Sequence, residues 1–598
     1  MTRRRRPPRD LSFSCPLSGS FCFSFPFLFM HPSHLPGRLP PRPLRRARRV
    51  RPRAAGALVA VGMAFCAAAP WSVGAHAADA SSAAPMSPVA PRAREAVRLT
   101  REDVLGRASV SDPPRLRIEG LRVLDADAVA RRWQPALAGR SDAAAVEAVV
   151  RGVERQVRAA GRPFARAYVP ADGRTAGELR LVVVEGRYGR VDLRGGAARE
   201  AAAWFDAVRP GRPIGDELEQ QVQALSRLPG VSIDAGLGPG AEVGQGDVDL
   251  RVEQAQRWSL DLRADNHGNR YAGRERGSVA GHLNGLLRFG DRLTASVGAN
   301  SGKGWDGAAA YQVPLGVRGT RVAVTASRHH YELGGDFAAL GAQGRVDAAG
   351  ATAVVPLTAK GPGRLTWQIG VEGRRMLNEH KAVALADPRH AVAVTTGLQA
   401  VLYPSAGAAA WGGVWMEMGD VRLRDAAAAA FDAASARSAG EYLVLSADAA
   451  LLRQWGAWGL LLRASGQIAD KNLDPSKKFS LGGARSVRAW PLGETSGDHG
   501  VLAQMEWRYR WKALEPFGFV DAGRVRFSHT PWDTTARAKA LPQGRMLAGA
   551  GLGLRWQHGP WSAEGTAGWR IGSALQRTSV SDPKARVPQV WVSVAYAL

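Results

Sequence analysis

Two arginines stand in a glycine-rich stretch, FSLGGARSVRAW, at residues 479–490. A guanidinium is a rigid fork of hydrogen-bond donors that can bind a carboxylate through two parallel bonds. Glycine adopts backbone conformations that other residues avoid, so a glycine-rich hairpin can enter a crowded space. Arg485 and Arg488 therefore require an acidic partner from elsewhere in the chain, because the stretch itself contains no Asp or Glu.

Sequence motifs of the common enzyme classes are absent. The chain contains no GxxxxGK[ST], HExxH, GxSxG or CxxC segment. His329 and His330 are adjacent, and we interpret them as residues of a solvated loop or lumen rather than as metal ligands. We expect a protein that is not an enzyme and that uses no metal or cofactor. A passive pore would lack these motifs too, so their absence does not separate a transporter from a porin.

Charge and cysteine are both concentrated at the amino-terminal end. The net charge of the 598 residues is +27, but residues 1–77 contain 13 arginines and a single acidic residue. The remainder carries 67 basic and 52 acidic groups without a basic block, which argues against nucleic acid as a partner. All three cysteines precede residue 67, so no disulfide framework is possible beyond it. A chain without cysteine suits passage through an oxidising periplasm.

Residues 1–77 are predicted to be an upstream extension and a signal peptide. The basic segment 42–53 precedes the apolar run AAGALVAVGMAFCAAAPW at 54–71, and small residues follow it. A transmembrane anchor is the alternative, although the run is short and rich in alanine. Met1 and Met30 are both possible start sites.

Two α+β units follow a leader. Residues 78–112 are rich in Ala, Pro and Ser and are predicted to be a linker, in which 92–107 could form a short, pore-plugging helix. Segments 113–186 and 187–255 each show the order β-α-α-β-β, which indicates an internal repeat. In the second unit we predict helices at 199–208 and 216–228.

Strict alternation of apolar and polar residues takes over in residues 256–598. The last segment places apolar residues on one face up to the end of the chain: Val590, Val592, Val594, Tyr596 and Leu598. A strand in the wall of a membrane barrel needs one apolar face toward the lipid and one polar face toward a water-filled lumen. The span predicts a transmembrane antiparallel β-barrel of about sixteen strands. A soluble β-sandwich would alternate as well, but this span is large for one sandwich and a signal peptide precedes it.

Four stretches resemble the haemolysin-activation/secretion family (ShlB/FhaC/HecB) of two-partner secretion outer-membrane transporters. RADNHGNRYAGRERGSVAGHLNGLLRFGDRL at 263–293 resembles the family's first hairpin, and residues 311–357 resemble the strands that follow. FSLGGARSVRAW resembles the loop with the Val-Arg-Gly-Phe/Tyr signature, and PFGFVDAGRV at 516–525 resembles its partner strand motif, Phe-x-Asp-x-Gly. The resemblance implies two periplasmic POTRA domains followed by an outer-membrane barrel of a Gram-negative bacterium.

The resemblance also implies roles for individual residues. In the family the signature loop enters the lumen, and its arginine meets the strand aspartate, which would pair Arg488 with Asp521; a solvated extracellular loop is the alternative. The other implied positions are the loop signature Gly482, Gly483, Val487, Ala489 and Trp490, the strand motif Phe519 and Gly523, the first hairpin turn Asp265, Asn266 and Gly268, and the barrel-assembly signal Tyr596 and Leu598.

The sequence departs from the family pattern at three positions. Ala489 replaces the signature glycine, and alanine would strain the loop tip if that position requires a positive φ. Trp490 replaces the smaller aromatic residue and needs more room. The chain ends in Leu598, where outer-membrane barrels usually end in an aromatic residue, and Tyr596 is expected to take over part of that signal.

The function implied by the resemblance is secretion of a partner protein. The POTRA domains would capture a large, unfolded, β-rich passenger of the haemolysin or haemagglutinin type, and the barrel would conduct it. The other expected partners are outer-membrane lipid and, during biogenesis, the barrel-assembly machinery. The alternatives are an assembly factor of the same superfamily, which inserts other barrels, and a diffusion porin, which would not need two α+β modules.

Overall fold

The computed structural model describes residues 114–138, 142–175, 177–358, 363–533, 535, 541–573 and 577–598. The predicted signal peptide, the leader 78–112 and the possible helix at 92–107 lie outside the described residues. Among the residues that are described, no helix is both long and apolar enough to span a membrane.

The first unit is a three-stranded sheet covered on one face by two helices. Its elements are β1 (Arg115–Glu119), α1 (Ala126–Trp133), α2 (Ala143–Ala159), β2 (Arg166–Tyr168) and β3 (Glu178–Val184). Asp142 begins α2, since its carboxylate accepts a bond from the Ala145 N–H. Val149, Val153 and Val157 are fully buried on one face of α2, as the 3.6-residue period requires.

The second unit repeats this arrangement. Its elements are β4 (Arg187–Arg194), α3 (Ala198–Ala201), α4 (Glu217–Ser226), β5 (Val231–Pro239) and β6 (Gln245–Gln254). In both units the third strand lies in the middle of the sheet, parallel to the first and antiparallel to the second. The helix predicted at 199–208 is much shorter, because a 3₁₀ turn, Ala202–Phe205, follows α3 and buries Trp204 and Phe205.

Sixteen strands form one closed antiparallel barrel, which confirms the predicted fold class. The first eight are β7 (Trp258–Asp265), β8 (Arg276–Asn284), β9 (Arg292–Asn300), β10 (Trp305–Leu315), β11 (Thr320–Glu332), β12 (Ala342–Pro356), β13 (Arg364–His380) and β14 (Leu385–Ser405). The next three are β15 (Ala408–Leu423), β16 (Gly440–Trp455) and β17 (Trp458–Ala469). A short hairpin, β18 (Phe479–Leu481) and β19 (Thr495–Gly497), follows outside the barrel sheet. The barrel ends with β20 (His499–Tyr509), β21 (Leu514–Arg526), β22 (Gly544–His558), β23 (Trp561–Arg570) and β24 (Gln589–Ala597), which pairs with β7.

The outer face of the barrel is apolar, as the alternation predicts. Large side chains such as Val297, Leu398, Leu552 and Val592 are exposed there, and their chain neighbours point into the lumen. Exposed apolar side chains on every second residue of a closed barrel form a surface that lipid can cover. A soluble sandwich would bury this face against a second sheet.

The two ends of the barrel differ. At the end next to the α+β units, β14 and β15, β16 and β17, and β22 and β23 are each joined by only two residues. The other end carries the long connections, including 470–498 and a loop with the helix α5 (Ala426–Ala434). Short turns on one side and long loops on the other are typical of outer-membrane barrels.

Candidate functional site

The connection between β17 and β20, residues 470–498, folds back into the barrel. Its short strands β18 and β19 pair as a hairpin, and most of its residues are buried. Gly482 and Gly483 have φ values of +100° and +107°, in the region that favours glycine. A Cβ on Gly482 would lie 2.2 Å from the Pro491 carbonyl oxygen, so only glycine fits there.

Arg488 binds the lumen wall through Asp521. The Nε and Nη2 groups of Arg488 donate to the two Asp521 oxygens at 2.8 and 2.6 Å, and the Arg488 backbone N–H donates at 3.0 Å. Arg488 is 3% exposed and Asp521 is fully buried. The structure thus brings together the two residues that the resemblance paired. Arg485, the other arginine of the stretch, is exposed.

A second carboxylate, Glu506 on β20, completes the arginine's coordination. Its Oε1 accepts from Arg488 Nη1 at 2.5 Å, while its Oε2 accepts from Arg508 at 2.6 Å and from Arg555 at 3.1 Å. One buried acid therefore joins the loop to two arginines of the wall. Our sequence reasoning missed Glu506. The alternation in β20 could have found it, because Met505 and Trp507 face lipid and place Glu506 in the lumen.

The strand motif of β21 provides the surface on which the loop rests. The Arg488 guanidinium carbon lies 3.7 Å from the centre of the Phe519 ring, a cation–π geometry. A Cβ on Gly523 would lie 2.6 Å from Leu481, so this glycine lets the hairpin approach the wall. Val487, which is fully buried, packs in the same apolar cluster as Leu481. Each of these predicted positions thus contacts the loop or belongs to it.

Ala489 and Trp490 are accommodated without strain. Ala489 is not among the residues with positive φ, so alanine is tolerated at this position. It is fully buried against Gly549 and Gly568, and a Cβ on Gly549 would lie 2.3 Å from its Cβ. The Trp490 indole N–H donates to the Ala548 carbonyl at 3.0 Å, and Arg570 lies 4.7 Å from its ring centre.

Glu494 makes a separate contact near the loop's return strand. Its side chain is completely buried and accepts bonds from the Ser579 and Ser581 hydroxyls at 2.5 and 2.6 Å. The Val580 N–H donates to it at 2.7 Å, and Arg545 pairs with it at 2.8 Å. The inserted loop is therefore held by the connection between β23 and β24 as well as by the wall.

The same connection reaches the first loop of the barrel. Asp582 is 3% exposed and accepts from Arg270 at 3.0 Å and from Arg274 at 2.5 Å. Arg270 also contacts Asp336 at 3.2 Å. These bonds link three loops above the place where β24 meets β7.

The base of the inserted loop is anchored on β14 and β15. Lys477, buried in a 3₁₀ turn, pairs with Glu417 of β15 at 2.6 Å. Asp474 pairs with Arg389 of β14 and accepts the Ser476 N–H at 2.8 Å. Burial and the nearby arginine Arg374 lower the pKa of Lys477. The loop is therefore held by two charged attachments, one on β14 and β15 and one on β20 and β21.

The first hairpin residues lie where the barrel closes. Asp265 is the last residue of β7 and accepts two bonds from Arg276, at 2.8 and 3.1 Å. Asn266 spans the β24–β7 seam, since its N–H donates to the Val592 carbonyl at 3.2 Å and its side-chain oxygen accepts the Val592 N–H at 2.8 Å. The predicted turn is in fact the start of a ten-residue connection, 266–275.

Gly268 and its neighbours give this connection its shape. A Cβ on Gly268 would lie 2.0 Å from the Gly273 carbonyl oxygen, so the two arms of the connection touch. His267 packs edge-on against Trp591, with ring centres 5.8 Å apart. Burial lowers the pKa of the His267 ring to about 4, so it is neutral at ordinary pH.

The carboxyl-terminal residues complete the seam. The Tyr596 ring packs edge-on against Trp561 at 4.7 Å, and both face outward. Leu598 exchanges two backbone hydrogen bonds with Leu260, at 2.9 and 3.1 Å. Their role as a signal for barrel assembly stays a prediction.

The histidine pair is not arranged as a chelate. His329 and His330 are successive residues of β11, so their side chains point to opposite faces of the wall. Within the part of the chain that the structure describes, no group of three or more His, Cys, Asp or Glu side chains could hold a metal ion.

Comparison with known proteins gives two family matches. The model of the haemolysin secretion/activation protein family ShlB/FhaC/HecB matches residues 244–556. The model of the ShlB-type POTRA domain matches residues 113–186.

Individual relatives are more distant. The heme/hemopexin transporter protein HuxB of Haemophilus influenzae is 26% identical over 356 residues, 58% of this chain and 62% of that protein. The chain thus matches about 62% of the length of this relative. The outer membrane transporter CdiB-2 of Burkholderia pseudomallei is 26% identical over 224 residues, 34% of this chain and 37% of that protein.

Solved structures show the same fold. CdiB from Escherichia coli superposes with a TM-score of 0.66 at 18% identity, over 82% of this chain and 91% of that one. CdiB from Acinetobacter baumannii gives a TM-score of 0.60 at 16% identity, over 84% and 93%.

Proposed function

The chain belongs to the haemolysin secretion/activation protein family ShlB/FhaC/HecB, and on that basis we propose that it secretes an unfolded partner protein across the outer membrane. The family and the closed barrel indicate the outer membrane of a Gram-negative bacterium. The observation that carries the proposal is the loop 470–498, which folds into a closed barrel and is held there by Arg488 between Asp521 and Glu506. A passage closed by a removable segment suits a conductor of large substrates.

We propose that the α+β units lie in the periplasm. The chain leaves β6 at Gln254 and enters the barrel at Trp258, so the units lie at the end with the two-residue turns. In outer-membrane barrels the short turns face the periplasm. The long loops, including 470–498, then start from the cell surface.

Capture of the partner is assigned to the first unit. β2 is an edge strand of its sheet and lies beside α2. An extended peptide can add to an edge strand as a further strand. Here it would replace the bond that the Ala167 N–H donates to Glu154 of α2 at 3.0 Å. Phe164, which precedes β2, and Tyr168, its last residue, are 50% and 40% exposed and provide apolar contacts for the captured chain. A large, β-rich passenger of the haemolysin or haemagglutinin type supplies such extended segments.

The passage opens when the inserted loop leaves its position. Arg488 and Asp521 form the lock, because Asp521 would otherwise be a buried carboxylate without its cationic partner and Arg488 would keep only Glu506. The extended passenger then crosses the lumen. With no nucleotide-binding motif in the sequence, folding of the passenger outside the cell makes the transport one-way.

Deletion of the gene in its own bacterium tests this function. Comparison of the proteins in the medium should show one large protein lost from the deletion strain and accumulated in its periplasm. The wild-type gene should restore secretion, and a gene that lacks residues 114–186 should not. Secretion that is unchanged in the deletion strain contradicts the proposal.

The same strains separate the alternatives. An assembly factor would lower the amounts of many unrelated outer-membrane barrels and leave the periplasm without one accumulated passenger. A diffusion porin would lower the uptake of small solutes and leave the secreted proteins unchanged. Either result replaces the proposed function.

A further inference from the structure

Three arginines point away from the barrel on neighbouring strands. Arg328, Arg345 and Arg375 lie on β11, β12 and β13, on the faces that carry the lipid-exposed apolar residues. The orientation follows from the alternation, because Val324 on β11 and Val371 on β13 are 53% and 48% exposed. These guanidinium groups are thus directed toward the membrane and not toward the lumen.

The three arginines surround one aspartate, Asp347. Arg328 and Asp347 are partners across β11 and β12, and Asp347 and Arg375 are partners across β12 and β13. Asp347 forms ion pairs with Arg328 and, at 3.3 Å, with Arg345. The Arg328 and Arg345 side chains are nevertheless 53% and 51% exposed. We call these four residues the outer arginine patch, and its formal net charge is +2.

The patch lies where the apolar surface ends. Toward the middle of the barrel, the next outward residues of the three strands are Ala326, Ala349 and Gly373, followed by Val324, Ala351 and Val371. Toward the loop end come Glu332 and Glu379, which contact Lys303 at 3.5 Å and Gln343 at 2.5 Å. The basic groups are therefore the first charges that a lipid tail would meet on its way to the cell surface.

The opposite side of the barrel has no such cluster within the described residues. There the outward faces of β22, β23 and β24 stay apolar to their surface ends, with Met546, Trp569 and Val590 exposed. Two outward arginines, Arg524 and Arg526, succeed each other on the lipid-facing side of β21, and no arginine of the strands paired with it joins them there. The outer arginine patch is thus a local feature and not a general property of the rim.

We propose that the outer arginine patch binds the phosphate groups of an anionic glycolipid in the outer leaflet. Guanidinium forks match phosphate oxygens, and long arginine side chains can keep their charge at the headgroup level while their stems lie on apolar surface. The acyl chains of the same lipid cover the apolar rows that include Val324, Ala351 and Val371. Asp347 holds the arginines apart and leaves their outer donors for the phosphate. The inference rests on the outer-membrane location and is independent of secretion.

Lipid binding by the purified mature chain tests this inference. Native mass spectrometry in detergent would compare bisphosphorylated lipid A with the same lipid after removal of its phosphates. The wild type should prefer the phosphorylated lipid by about tenfold or more, since each arginine near a phosphate surface adds attraction. The variant Arg328→Gln/Arg345→Gln/Arg375→Gln should show a preference of no more than about twofold.

The controls make the outcome specific. Arg524→Gln, which changes an outward arginine outside the patch, should keep the full preference, and Asp347→Asn should keep or raise it. Heat-dependent migration in gels verifies that each barrel is folded; if the triple variant does not fold, Arg375→Gln alone should lower the preference by about threefold. Equal preference in the folded patch variants and the wild type overturns the inference. So does an equal loss in Arg524→Gln, or displacement of the lipid by inorganic phosphate, which would indicate a site for free anions.

Discussion

The two sides of the barrel lumen are built from different residues. On β20–β23 the lumen carries charged and aromatic side chains, among them Glu506, Arg508, Phe519, Asp521, Arg555 and Glu564. On β9–β12 the side chains midway along the wall are small and uncharged: Thr294, Ser296, Ala308, Ala310, Thr325, Ser327, Ala348, Gly350 and Thr352. The first side holds the inserted loop, and the second offers few groups that could hold anything.

Under the proposed function, the difference would let the lumen bind its own loop firmly on one side and let a foreign chain pass along the other. Multiple charge-assisted bonds fix the loop in one place on the charged side. Short hydroxyl and methyl groups on the other side make single, weak contacts, so an extended polypeptide is not trapped there. A substitution on the charged side should therefore change stability and channel opening far more than a substitution on the side with small residues.

The largest effect is expected from Arg488→Ala and Asp521→Ala. Each removes one partner of a buried pair and leaves the other charge without its bidentate contact, which costs about 3–5 kcal/mol. Urea unfolding of the barrel in lipid vesicles should show this loss, and planar-bilayer recordings should show more frequent channel opening.

The double variant decides whether the two residues act as one lock. If they do, Arg488→Ala/Asp521→Ala should cost little more than either single change, because the contact is already lost. Additive costs, or a pore whose opening neither single change affects, would contradict the lock.

A smaller effect is expected from Glu494→Gln. The glutamine keeps the size of the side chain but loses the ion pair with Arg545 and weakens the bonds from Ser579 and Ser581, at a cost of about 2 kcal/mol. Protease cleavage within 571–588 on intact cells should become faster, since that connection loses its partner. Glu242→Gln, on the exposed surface of the second α+β unit, is the matched control and should change neither the stability nor the rate of protease cleavage.

The next largest effect is expected from an added methyl group on the charged side of the lumen. Gly549→Ala would place a methyl group against Ala489 and should cost about 1–3 kcal/mol through overpacking. Gly565→Ala, on the neighbouring strand β23, is the control, because its added Cβ meets no atom within 4 Å. Equal stability of the two variants would mean that the loop tip is not packed tightly against the wall.

The smallest effect is expected on the small side of the lumen. Ser296→Ala should change the unfolding free energy by no more than about 0.5 kcal/mol and should leave channel opening unchanged. An effect as large as that of Arg488→Ala would remove the contrast between the two walls.

Much of the fold follows from local periodicity. The alternation of VWVSVAYAL and of the other strands predicts a barrel because period two is a property of each strand on its own. The repeat of two α+β units is likewise visible in local patterns. The order β-α-α-β-β includes a first helix in the first unit but does not give the bounds of α1 (Ala126–Trp133), since that segment is short and only Val129 and Ala130 are buried in it.

The sequence predicts residues of the loop site only where they belong to a family motif. Arg488 and Asp521 are found through the family resemblance, which supplies a pairing that spacing alone does not give. Glu506 and Glu494 belong to no such motif, and their partners are brought to them by barrel closure. Asn266 and Val592 are 326 residues apart, and no local pattern predicts a contact over such a distance.

One hydrogen bond bears on the order in which the barrel is assembled. The Trp591 indole N–H of β24, the last barrel strand in chain order, donates to the Arg488 carbonyl at 2.8 Å in a buried position. If the last strand docked before the loop was in place, this N–H would be left unsatisfied inside the wall, at a cost of about 1–3 kcal/mol. Under the proposed function, the segment that closes the pore would thus also supply a hydrogen-bond partner to the last barrel strand, and a barrel whose seam has formed with this bond in place would be a sealed one.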